Sequence, residues 1–248
     1  MKNGVQALLD SLEKVGSEDW GKLREAAAGC HPWYKHEWWH NKYYRENPPN
    51  DGDMLQQPEK GNPEVPYQRE LFYPSPASRF SLGSDEPVAY FSIDFGVNCC
   101  ETIEQFASNP ALPFKELSGY LGGQGNPTPG WRGYPLNFHL VSDTCILDVS
   151  SNSNLFLMIL SRAGKVASDD IWKVFQSRGE EEKKATQRVS LCAKRVGFDG
   201  ICYASVRAPV DVSMPTKNLV IFSRDKIRPG LPPNNRLQGT GGKSAARP

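Results

Sequence analysis

What this chain of 248 residues lacks first is an imbalance of charge: 29 Lys and Arg face 28 Asp and Glu, a net charge of +1. Proteins that hold nucleic acid through its phosphates draw on a basic surplus, so nucleic acid is not an expected partner. Long apolar runs are also missing, and none approaches the roughly 20 residues that a membrane span requires. The opening MKNGVQALLDSLEKVGSEDW places Asp10, Glu13 and Glu18 where a signal peptide needs an apolar stretch. The expectation is a cytoplasmic protein with no membrane contact. Six cysteines include no CxxC pair, and Cys99 and Cys100 are adjacent. That is a poor start for a disulfide framework, and reduced, mostly buried thiols are expected. No internal repeat is present, which removes the solenoids and propellers.

What is there suffices for one well-cored domain with appendages rather than two full domains. Val5, Leu8, Leu9, Leu12 and Val15 recur at helical spacing, and Ser17 offers a cap for a second short helix carrying Trp20, Leu23 and Ala27. Residues 31–47, HPWYKHEWWHNKYYREN, crowd aromatic and histidine side chains ahead of a breaker-rich stretch from Pro48 to Pro66. From Tyr67 onward short β-like runs alternate with helical ones. Strands are expected near Val88–Ile93, Asn137–Val141, Cys145–Val149, Gly200–Ala204 and Asn218–Phe222. Helices are expected near Val97–Phe106, Asp169–Gln176 and Ala185–Val196. The Gly/Asn/Pro-rich stretch 119–135 reads as a loop, RGEEEKK from Arg178 to Lys184 as a solvated helix end or loop, and the tail after Pro229 as having little to pack. The expected organisation is an N-terminal helical and aromatic extension with linker over 1–66, a catalytic α/β (α+β) core with a mixed sheet over 67–228, and a disordered tail over 229–248.

Three residues in the middle of the chain stand at even intervals: Arg79 in Ser-Arg-Phe, Tyr90 in the β-like run, and Glu101 early in the next helical run, with 90 − 79 = 11 and 101 − 90 = 11. Strand and helix ends at such spacing can bring a guanidinium, a phenol and a carboxylate to one cleft. Further on stand Val196-Gly197-Phe198-Asp199-Gly200-Ile201-Cys202-Tyr203-Ala204-Ser205 and Lys217-Asn218-Leu219-Val220-Ile221-Phe222. In order and spacing these four elements resemble the RES domain, the toxin component of bacterial toxin–antitoxin systems. Its fold is ADP-ribosyltransferase-like. The resemblance runs from about Tyr67 to Arg228. Its serine matches Ser205, with Ser213 as the alternative, and a further upstream arginine is either Arg69 or missing.

The resemblance implies NAD as substrate. Arg79, aided by Arg69, would grip the pyrophosphate with charge-assisted hydrogen bonds, and Tyr90 would offer a flat face to the nicotinamide. Glu101 would stabilise the positive charge that develops on the ribose as the nicotinamide bond breaks. Ser205 would position a phosphate or ribose hydroxyl, with Asn218 in support. Water as acceptor gives a glycohydrolase, phosphate a phosphorylase, and a protein side chain a transferase. The resemblance also implies a cognate antitoxin and a homodimer, and it calls for no metal.

Other readings of the same residues compete. His36 and His40 share a helical face next to Cys30 and His31, but no matching carboxylate or second cysteine pair completes a zinc set. The surrounding tryptophans and tyrosines read better as a packing face. Cys192 and Cys202 sit in apolar settings that suppress thiolate formation. The rival functional readings are a degenerate RES-like module that binds nucleotide or protein without turnover, and an interaction domain working through residues 31–47.

Overall fold

The computed structural model describes residues 4–29, 38–40, 44–45, 72–74, 76, 78–83, 86–93, 131–132, 137–206 and 216–229. Among them the chain forms an α+β fold, five α-helices against a mixed sheet. The first helix, α1 (Gly4–Glu13), buries Val5, Leu8 and Leu12 along the stripe that a 3.6-residue period lines up. In α2 (Ser17–Gly29) Glu18 and Asp19 occupy the first turn, where acids complement the helix dipole, and Trp20 and Leu23 are buried. Both helices belong to the main core cluster, so the first residues of the chain are integral to the packing.

Three more helices follow in the second half. The periodicity of the sequence passes over α3 (Leu155–Gly164), because six consecutive apolar residues, Leu155 to Leu160, blur any helical stripe. Its start is nevertheless well marked: the Asn154 side chain accepts the Leu157 N–H at 3.0 Å. Gly164 lets α1 approach closely, since a Cβ there would lie 1.9 Å from Ser11 Oγ. The left-handed turn that ends the helix therefore falls on the next residue, Lys165, at φ 53°. Next come α4 (Ser168–Gln176), burying Ile171, Val174 and Phe175, and α5 (Glu180–Arg195), which starts inside the RGEEEKK cluster with Glu180, Glu181 and Glu182 in its first turn. It stops in a Schellman turn: Phe198 N–H reaches Ala193 O and Gly197 N–H reaches Lys194 O, with Gly197 at φ 91°.

The strands are β1 (Trp38–His40), β2 (Tyr44–Arg45), β3 (Tyr73–Pro74), β4 (Pro87–Ser92), β5 (Trp131–Arg132), β6 (Asn137–Leu140), β7 (Ile146–Val149), β8 (Gly200–Ala204), β9 (Lys217–Ile221) and β10 (Ile227–Pro229). The main sheet runs β10-β6-β1-β4-β9-β8-β7, with β3 also paired to β4. Among the described strands only β7 and β8 pair in parallel, and α3, α4 and α5 form the crossover that joins them. Two pairings differ from the sequence expectation. The aromatic segment contributes β1 to the middle of the sheet, between β4 and β6. Trp131–Arg132, inside the expected loop 119–135, pair with Tyr44–Arg45.

Register sorts the core. Residues directly opposite on neighbouring strands share a face, so Tyr90, Val220, Ile201 and Leu147 form one row and Ser92, Asn218, Tyr203 and Val149 the next. Apart from the polar Ser92 and Asn218, these residues join the cluster that the helices cover. The opposite face carries Phe91, Leu219 and Cys202, which pack with Phe72, Phe138, Leu140 and Ile227 in a second cluster.

Candidate functional site

Arg79 stands in a short turn that α5 holds in place. Thr186 Oγ1 donates to Arg79 O, and Gln187 Nε2 donates to Pro76 O at 2.8 Å and Ser78 O at 2.9 Å. Next to it, Phe80 is fully buried against Phe175 and Tyr203, ring centroids 6.1 and 4.5 Å away. With its main chain anchored on both sides, the half-buried Arg79 side chain reaches the C-terminal end of β8. There its guanidinium donates to Ala204 O at 3.3 Å and to Phe175 O in the last turn of α4. A cation at that place also complements the negative end of the α4 dipole. The group lies 5.2 Å from the centroid of the Tyr203 ring and 5.6 Å from that of Phe80.

Ser205 follows Ala204 directly. Its N–H donates to Thr216 O at 2.7 Å, which ties the end of β8 to the start of β9, and its side chain is buried. Asn218 stands on β9 opposite both Tyr203 and Ser92. Ser92 Oγ donates to Asn218 Oδ1 at 2.8 Å, and both residues are buried. In this bond the amide oxygen of Asn218 faces β4. Tyr90, two residues before Ser92 on the same face, is buried in the helix-covered cluster.

Of the described members of the expected site, Arg79, Ser205 and Asn218 stand around Tyr203 at one end of the helix-covered face, and Tyr90 lies one row further in, opposite Val220. Arg69, Glu101 and Ser213 lie outside the described residues, as do Cys30, His31, His36, the expected helix near Val97–Phe106, the linker over 48–66 and the tail after 229. Sequence reasoning missed Ser92, Tyr203, Thr186 and Gln187 as companions of the site. For Ser92 a signal existed, a hydroxyl closing an otherwise apolar strand. The others are joined to Arg79 only by the fold.

Asp199, in the stretch that resembles the RES domain, works at the other end of β8. Its N–H donates to Cys145 O and its carboxylate accepts the Cys145 N–H, both at 2.8 Å, which staples β8 to the start of β7. Burial pushes its pKa up, although the Cys145 N–H and Lys226 pull the other way. Burial also raises the thiol pKa of Cys145, and that of Cys202 well above its ordinary value, so neither is a ready nucleophile. Among the described residues no three His, Cys, Asp or Glu side chains group as metal ligands, and no helix is long and apolar enough to cross a membrane.

No family model matches the chain, and no curated protein matches it. Among solved structures, the chain is similar to one in the M. tuberculosis MbcT–MbcA toxin–antitoxin complex. The identity is 12% and the TM-score 0.36, over 86% of this chain and 90% of that one. At that identity and score the likeness carries no conclusion about activity.

Proposed function

We propose that this protein is a RES-type, toxin-like enzyme that consumes NAD by breaking the bond between nicotinamide and ribose. One observation carries the reading. Arg79, Ser205 and Asn218, named from the resemblance to the RES domain, stand around the end of β8 although separate segments supply them, with Tyr90 one row further in on the same sheet face. A guanidinium held by two main-chain carbonyls is fixed before any ligand arrives, which suits it to a diphosphate. The amide of Asn218, oriented by Ser92, and a serine at the end of β8 add polar groups suited to ribose or phosphate oxygens.

The chemistry needs little beyond these groups and a carboxylate. As the glycosidic bond breaks, its electron pair leaves with neutral nicotinamide and positive charge develops on the ribose. Glu101 is assigned to stabilise that charge on the strength of the sequence resemblance. Water, phosphate or a protein side chain then attacks the ribose carbon and loses a proton. An enzyme that drains NAD needs restraint, so a cognate antitoxin belongs to this reading, and a homodimer is its expected assembly.

The test is incubation of purified protein with NAD, with and without phosphate, following nicotinamide and the sugar product. Phosphate-dependent release identifies a phosphorylase and phosphate-independent release a glycohydrolase. Glu101→Ala should lower kcat at least a hundredfold, on the order of what one electrostatic catalytic group supplies, while Arg79→Ala should chiefly weaken NAD binding. Because Arg79 also ties α4 to β8, that variant is compared only once its melting shows a folded protein. Folded wild-type protein that binds NAD without releasing nicotinamide, even with protein acceptors supplied, favours the non-catalytic module. Folded protein that does not bind NAD overturns the reading.

A further inference from the structure

We infer that Tyr203 is a positioning residue for Arg79, its ring face holding the guanidinium in the orientation that meets an anionic ligand; the ligand, though not the ring contact, rests on the function proposed above. Carbonyls and aromatic rings together confine the Arg79 head group. Phe175 O and Ala204 O come from different elements and fix two points of it. The Tyr203 ring, 5.2 Å from the guanidinium carbon, adds a flat surface with negative potential on its face. Carbonyls alone leave the guanidinium able to swing about the line joining them, and a ring beside it restricts that swing.

The ring is itself immobile. Phe80 packs 4.5 Å from it, Asn218 lies opposite its backbone on β9, and the residue is only 8% exposed. Since Phe80 follows Arg79 in the chain, the side chain that fixes the ring and the main chain that carries the arginine belong to one turn, clamped by Thr186 and Gln187. A residue needed here only to fill the core would be served as well by leucine. An aromatic face against a cation is a more particular requirement.

Tyr203→Phe keeps the face and should leave Arg79 in place. Tyr203→Leu keeps apolar bulk without the face and should raise the KM for NAD on the order of tenfold with kcat held within about twofold, the size of a partly buried cation–ring contact. A merely space-filling role would lower thermal stability without that split. The second readout is independent of NAD. In spectra of the 15N-arginine-labelled protein, the Arg79 side-chain N–H signal should show the ring-current displacement of nearby aromatic faces equally in the wild type and Tyr203→Phe, and lose the Tyr203 part of it in Tyr203→Leu, where only Phe80, 5.6 Å away, remains. Progressively fluorinated phenylalanines at position 203 drain the ring's negative face without changing its shape, so they apply the same test should the leucine variant not fold. An Arg79 signal unmoved across the series overturns the inference. If the signal follows the series but the wild type does not bind NAD, the positioning stands and the proposed function falls.

Discussion

The two faces of the central sheet are built from the same strands and have different cores. Among the described residues one face packs Phe91, Leu219, Cys202, Phe138 and Leu140 into an apolar cluster. The other, under the helices, is equally apolar through its middle but ends in Ser92 and Asn218, both buried and bonded to each other, beside the half-buried Arg79 and the buried Ser205. Burying a hydroxyl and an amide gains little net stability even when they are paired, and a sheet able to seal one face with hydrocarbon had no structural need to leave the other polar. The polar end is where function is expected, and the apolar face is its support.

The strongest challenge to this contrast is Phe91→Ala. It should cost about 3–5 kcal/mol of stability by leaving a cavity in the apolar face, read from denaturant unfolding, while protein that remains folded keeps the NAD kinetics that the proposed function calls for. A selective loss of activity would erase the distinction between faces. Next in size, Asn218→Ala should cost about 1–3 kcal/mol because it strands the Ser92 hydroxyl in the core. Replacing both partners, Ser92→Val with Asn218→Leu, should recover most of that loss without recovering activity on NAD. If the double variant is both stable and active, the pair is structural only.

The smallest effect belongs to the far end of β8. Burial raises the Asp199 pKa, so the native state holds this proton more tightly than the unfolded chain does. Stability then falls as pH rises from the ordinary aspartate value to the raised one, and levels off above it. Asp199→Asn can still accept the Cys145 N–H and should flatten that part of the pH–stability curve. A curve unchanged by the substitution would mean that the buried carboxyl contributes nothing there.

Local patterns made much of this visible in advance. The span of β8 reads directly from GICYA, and β9 lies one residue from its expected bounds, because both are short apolar runs bracketed by breakers. Arg79, Tyr90, Ser205 and Asn218 stood out through the resemblance to the RES domain. What stayed hidden depends on distant partners. Three residues of an aromatic stretch become β1 only because β4 and β6 flank them. Likewise Tyr203 and Ser92 join the site through register with Asn218, which no single-strand pattern encodes. In α3 the fault is local, since Leu155 and Met158 place apolar side chains on its exposed side as well and so blur the stripe that would announce it.

The place of β9 in the sheet has a consequence for how the protein comes into being. It stands between β4 and β8 and is the last but one of the described strands. Until the ribosome has released Lys217–Ile221, β4 and β8 lack the strand that joins them, and Tyr90 on β4 stays apart from Ser205 beyond β8. A nascent chain already carrying Arg79, Tyr90 and Ser205 therefore cannot assemble them.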